Sequence, residues 1–122
     1  MQKIYPAVFS PNDDRTFTII FPDLPGCITE GKDIANAMYM AESALSQWLS
    51  MLVDEGQEIP TPSYAGEIPL NAGEFVTLIR GQIRSERAVK RTVSIPQWMD
   101  EDARNAGLSL SRVLQDALRE RL

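Results

Sequence analysis

Apolar and polar positions alternate with period two in three short runs near the start of the chain. These are Ile4–Phe9, Thr16–Phe21 and Cys27–Glu30, and such alternation predicts half-buried β-strands. Pro6 marks the first run as an edge strand or a bulge, because proline has no N–H to give a ladder. The cluster Pro11-Asn12-Asp13-Asp14 reads as a turn. The segment Pro22-Asp23-Leu24-Pro25-Gly26 reads as a rigid corner, its prolines fixing φ and Gly26 allowing a sharp bend. Three strands so closely spaced predict an antiparallel meander.

The period then changes. Ile34, Ala37, Met38, Ala41, Leu45, Trp48, Leu49 and Leu52 recur at helical spacing, with Asp33 placed as N-cap and Gly56 as stop. This stripe is expected to cover one face of the meander, and its Met and Trp are read as core. Ile59-Pro60-Thr61-Pro62-Ser63 is too proline-rich for a helix. Phe75–Ile83 reads as a fourth strand returning to the sheet. Residues 1–83 are therefore expected to form a β-β-β-α-β domain, with a charged hinge over 84–89.

From Lys90 onward the pattern describes something smaller. Val93 and Ile95 share one face of a short strand, and Lys90, Thr92 and Ser94 share the other. Pro96 is expected to open a first helix, Gln97–Asn105, at its N1 position. Gly107 is placed for a left-handed turn and Ser109 for the N-cap of a second helix. The apolar side of that helix comprises Leu110, Val113, Leu114, Ala117, Leu118 and Leu122. Such a unit is too small to bury its own apolar side. Two copies solve this by pairing strands into an antiparallel ribbon, which also fits the DNA major groove. Lys90, Thr92 and Ser94 would then reach base edges. The amides near Ser109 and Ser111, with Arg112 beside them, would hold a phosphate.

Charge sharpens this division. Residues 1–83 carry 4 basic and 11 acidic side chains, net −7, whereas residues 84–122 carry 8 basic and 6 acidic, net +2. An acidic body attracts a basic partner, and the tail can approach phosphate. With no histidine and a single cysteine, Cys27, an internal disulfide and Ser–His or Cys–His nucleophilic catalysis are excluded. A metal site would need carboxylates alone, and no metal or cofactor is expected. No run approaches the ~18–20 apolar residues of a membrane span, and no signal-peptide pattern is evident, so the expected compartment is the cytoplasm.

The run Lys90-x-Thr92-Val93-Ser94-Ile95-Pro96, then helix, Gly107-x-Ser109-x-Ser111 and a final amphipathic helix, resembles the ribbon-helix-helix family of repressors, particularly the MetJ/Arc type. The resemblance implies that alternate ribbon residues read bases, which here means Lys90, Thr92 and Ser94. It also implies a homodimer, with a tetramer left open.

Residues 5 to about 83 resemble the HicB antitoxin family, on Phe21-Pro22-Asp23-Leu24-Pro25-Gly26-Cys27-Ile28-Thr29-Glu30-Gly31, the helix from Asp33 and Gly56-x-x-Ile59-Pro60-x-Pro62-Ser63. That resemblance implies an α+β protein whose first domain is a partial, degenerate RNase H-like fold. It implies binding of a small basic HicA toxin, an mRNA-cleaving protein whose catalytic histidine is covered, and repression of the shared promoter at operator DNA. Family members often have Thr before the helix and an acid three residues in. Asp33 and Asn36 stand there, so the cap is expected without its capping-box partner.

Glu30, Asp33, Asp54, Glu55 and Glu58, acidic and near helix ends, are the expected toxin contacts. A free-standing ribbon-helix-helix repressor with a ligand-sensing first domain is the alternative. An active nuclease is disfavoured, because RNase H chemistry needs carboxylates converging on divalent metals and the first strand carries none.

Overall fold

The computed structural model describes residues 2–84 and 88–122. The chain divides into two compact units, the second being Ala88–Leu122 and the first everything before it. The expected hinge at 84–89 falls in part on residues 85–87, which lie outside the described residues.

The first unit contains β1 (Gln2–Pro11), β2 (Phe17–Ile20), β3 (Ile28–Gly31), α1 (Ile34–Asp54) and β4 (Phe75–Gln82), with a single 3-10 turn at Ala65–Glu67. The strands form one antiparallel sheet in the order β3-β2-β1-β4. Cys27 lies just before β3, and Ile83 just after β4.

β1 is interior in the strand order, yet at Pro6 it is a local edge, as the proline suggests. It pairs with β4 along Gln2–Phe9 but with β2 only along Val8–Pro11. Pro6 stands opposite Leu78, two residues beyond the reach of β2. Its missing N–H therefore costs the β2 ladder nothing, and its ring is fully buried. Proline is tolerated inside the sheet because its neighbour on that side has already turned away.

α1 packs across β3 and β4, burying Ala37, Ala41, Leu45, Leu49 and Leu52 against Tyr5, Ala7, Phe9, Ile19, Phe21 and Ile79. Met38 and Trp48 lie at the margin of this core, whereas Ile34 is half exposed. Three rings, Phe9, Phe17 and Phe75, tie β1, β2 and β4 together at one end with centroids 5.3–6.4 Å apart. Helix and sheet approach closely at Gly31. A Cβ there would lie 2.3 Å from the Cα of Ala37, a backbone atom with no rotamer to escape into.

The start of α1 is better capped than its sequence suggests. Asp33 accepts from the Asn36 amide at 2.7 Å. Asn36 in turn accepts from the Lys32 N–H through its own side-chain oxygen at 3.0 Å. An amide thus does the reciprocal work expected of an acid, one residue earlier than in the standard box.

The second unit consists of α2 (Gln97–Asn105) and α3 (Leu110–Arg121). Pro96 is the N-cap of α2, not its N1 residue. At the far end Leu108 N–H donates to Ala103 O and Gly107 N–H to Arg104 O, the two bonds of a Schellman motif, with Gly107 at φ 69° supplying the left-handed residue.

Candidate functional site

Within the second unit, Ser109 caps α3 by accepting from the Arg112 N–H at 3.3 Å. The Arg112 amide is therefore spent inside the cap. Ser111 and the Arg112 side chain, both exposed, are the groups of the expected phosphate site that the cap does not engage. Arg104 and Arg119 are tied to Asp100 and Asp116 at 3.2 and 3.5 Å, so Arg112 is the arginine of α2 and α3 best placed to meet an external anion, apart from Arg121 at the helix end.

No residue of α2 or α3 is buried. Trp98, Leu110, Val113, Leu114 and Leu118 are 44–61% exposed. Each such side chain contributes roughly 1.5–3 kcal/mol when fully buried, so this face is an incomplete core. Lys90, Thr92 and Ser94 are exposed, and residues 88–96 form neither helix nor strand in the single chain. The strand expected at 90–95 is thus not formed by one chain. Among the described residues no strand pairs with this stretch, so it has no ladder.

In the first unit the expected acidic set does not converge. Glu30 and Asp33 flank the start of α1, and Asp54, Glu55 and Glu58 its end. A helix of 21 residues is about 30 Å long at 1.5 Å per residue, so the two groups occupy opposite ends of the domain. Asp33 is also committed to its cap, and Glu55 accepts from Gln57 at 3.0 Å.

Sheet register adds residues to the first group. Phe17 pairs with Gly31, which brings the β1–β2 turn, with Asp13 and Asp14, to the same end of the sheet as the start of α1. The sequence marks both only as turn residues, because proximity across strands leaves no local signal. Asp14 accepts from the Thr16 amide and hydroxyl, and these bonds hold its carboxyl below the ordinary range. Ser10 and the Asn71 amide do the same for Glu74.

Asp23 has a structural employment that sequence leaves open. It receives the Ser63 N–H at 2.9 Å and also the Ser63 hydroxyl, while the Tyr5 hydroxyl donates to Pro60 O. The corner and the proline-rich strap are thereby fastened together. Cys27 is buried, and burial pushes its thiol up to about 11, so a reactive thiolate is not available at neutral pH. Among the described residues no group of three His, Cys, Asp or Glu side chains could hold a metal ion, and no helix is long and apolar enough to cross a membrane.

The family profile of a HicB-like antitoxin of bacterial toxin-antitoxin systems matches residues 5–117. Antitoxin HicB of Escherichia coli strain K12 is 28% identical over 88 residues, covering 67% of this chain and 64% of that protein. The chain thus spans less than two thirds of that relative's length. A toxin-antitoxin complex from Streptococcus pneumoniae matches with a TM-score of 0.64 over the whole of both chains at 24% identity, a likeness of fold. A HicA3 and HicB3 toxin-antitoxin complex matches with a TM-score of 0.51 at 27% identity, covering 67% of this chain and 99% of that one.

Proposed function

The chain belongs to the HicB-like antitoxin family of bacterial toxin-antitoxin systems, and from that premise we propose that it is an antitoxin acting through two surfaces. Its first unit binds and occludes a small basic HicA-type ribonuclease. Its second unit pairs with a second copy and represses the operon at operator DNA. The carrying observation is that the family match extends from residue 5 to residue 117, through both units. The likeness to a complex described as HicA3 with HicB3 supports the choice of toxin.

The protein is a binding protein and not an enzyme: its relatives are named antitoxins. We read the first unit as a partial RNase H-like domain that keeps the sheet and helix without the carboxylates. Charge complementarity supports docking of a basic partner on a domain of net −7, and two acidic ends compete for that role. One is Asp13, Asp14, Glu30 and Asp33; the other is Asp54, Glu55 and Glu58.

We read the second unit as a ribbon-helix-helix module. The uncovered apolar side of α2 and α3 supports pairing with a second copy, which would also supply the missing ribbon strand. In that ribbon Lys90, Thr92 and Ser94 face bases, and Ser109, Ser111 and Arg112 face phosphate. Copies related by a two-fold axis then demand a two-fold operator.

The test is tagged purification of the chain expressed with its native flanking DNA, followed by intact mass of everything retained. A small basic protein in stoichiometric amount is the expected result. The chain alone, still holding its upstream DNA, would instead favour a free-standing repressor. Charge reversal at each acidic end in turn then assigns the docking end, by which variant loses the co-purifying protein.

A further inference from the structure

β4 is an edge strand, bonded to β1 on one side only. Backbone N–H groups alternate sides along a strand, and the regular β1–β4 register contains no bulge. The Gln82 amide donates to the Ser46 hydroxyl and the Arg84 amide to the Ser50 hydroxyl, each at 2.9 Å. The even-numbered amides of this strand therefore point away from β1. The two serines stand one turn apart on α1, a rise of about 6 Å that matches two residues of extended chain. α1 thus satisfies the last two outward amides. Those of Val76, Leu78 and Arg80 make no such bond among the described residues.

This open edge runs beside a groove of about 760 Å³, walled by Tyr39, Ser46 and Ser50 of α1 and by Leu78, Arg80 and Arg84. Leu78 is 59% and Tyr39 67% exposed. An unpaired edge with an apolar side chain at its middle is a template for another strand. The sign of charge here opposes that of the rest of the domain. Arg80 and Arg84 face a single acid of the groove, Glu42, and neither arginine forms an ion pair among the described residues. Four residues of extended chain separate them by about 13 Å.

We propose that this groove is a docking site for an extended acidic segment of another protein, which adds to the free edge of β4 as a fifth strand. Backbone bonds to Val76, Leu78 and Arg80 supply affinity, and a carboxylate of the segment facing Arg80, with Arg84 adding positive charge beyond the capped end, supplies selectivity. The Ser46 and Ser50 caps end the ladder, so the segment pairs over about five residues. The same arginines repel a basic strand, which separates this surface from the acidic ends that suit a basic toxin. The inference stands on the edge geometry and not on the antitoxin reading.

The experiment measures fluorescence anisotropy of the full chain with a labelled peptide, acetyl-Glu-Val-Thr-Val-Glu-amide. Two control peptides carry Lys in place of Glu, or N-methyl groups on alternate amides. The acidic peptide is expected to bind, both controls to bind at least tenfold more weakly, and Arg80→Gln to weaken the acidic peptide about tenfold, one charge-assisted contact. Arg15→Gln, far from the groove, leaves binding unchanged and Arg80→Lys restores most of it. Absence of binding at millimolar peptide, equal binding of the Lys peptide, or indifference to N-methylation overturns the proposal. So does a full-chain oligomer whose mass in sedimentation equilibrium falls on Leu78→Lys, because a second copy would then hold the edge.

Discussion

Asp23, in the corner after β2, accepts both the backbone N–H and the hydroxyl of Ser63, forty residues further on. One carboxylate thus closes the proline-rich strap onto the corner that leads into β3. The pair is exposed, so its net worth is that of an ordinary hydrogen bond, about 1 kcal/mol. Asp23→Ala removes both bonds and should lower stability by about that amount, Ser63→Ala removes only the hydroxyl bond and should cost less, and the double variant should cost no more than Asp23→Ala. Urea unfolding of the four proteins measures this. Full additivity would mean that the two residues act independently.

Gly31 should be far less forgiving. Its missing Cβ would meet the backbone of Ala37 at 2.3 Å and the Ala37 Cβ at 2.6 Å, so Gly31→Ala must lift α1 from β3. A cost of about 2–3 kcal/mol is expected from overpacking at a site that cannot yield. Thermal unfolding checks this, and Gly56→Ala, with open space around it, separates steric from conformational cost.

Alkaline pH should destabilise the first unit through Cys27. Its folded-state value of about 11 lies above the ordinary 9.0, so the folded protein holds the thiol proton more tightly than the unfolded chain. The associated stability is complete below pH 9 and is lost as pH rises to 11, about 2–3 kcal/mol at 1.36 per unit. Tyr5, raised by burial and by the charge of Asp23, adds a loss of the same sign above pH 10. Denaturant titrations at pH 8, 9.5 and 11 should slope downward, and Cys27→Ala should flatten the first half of the slope.

The proposed ribbon predicts a division between pairing and reading. Lys90→Ala and Thr92→Ala should weaken operator binding by about 1–3 kcal/mol each and leave the mass of the assembly unchanged. Arg112→Ala should weaken all DNA alike and reduce the salt slope by about 1. Leu114→Asp, on the uncovered side of α3, should abolish both pairing and DNA binding. Gel shift over a salt series with parallel light scattering measures the set, and sequence-specific binding retained by the Lys90/Thr92 double variant would refute the strand assignment.

The chain's local order is legible without coordinates, because its causes lie within a few residues of each other. The helical period from Ile34, the caps at Asp33 and Ser109 and the left-handed turn at Gly107 depend on neighbours in sequence; α1 and α3 begin, and α2 ends, where those signals stand. Asn36 shows the limit even there: residue type suggests no capping partner, yet its amide oxygen reaches the Lys32 N–H. Strand pairing is another matter. Nothing near Pro6 says that β1 will lie inside the sheet while its proline escapes β2, and nothing near Asp23 points to Ser63. The acids at 30, 33, 54, 55 and 58 look like one set along the chain, but a straight helix holds them about 30 Å apart. The free amides of β4 exist only because β1 takes its other side. Local propensity and capping acted over one or two turns and were written in the sequence. Strand order, the grouping of charge and the open edge arose from contacts between distant segments, which only the folded chain brings together.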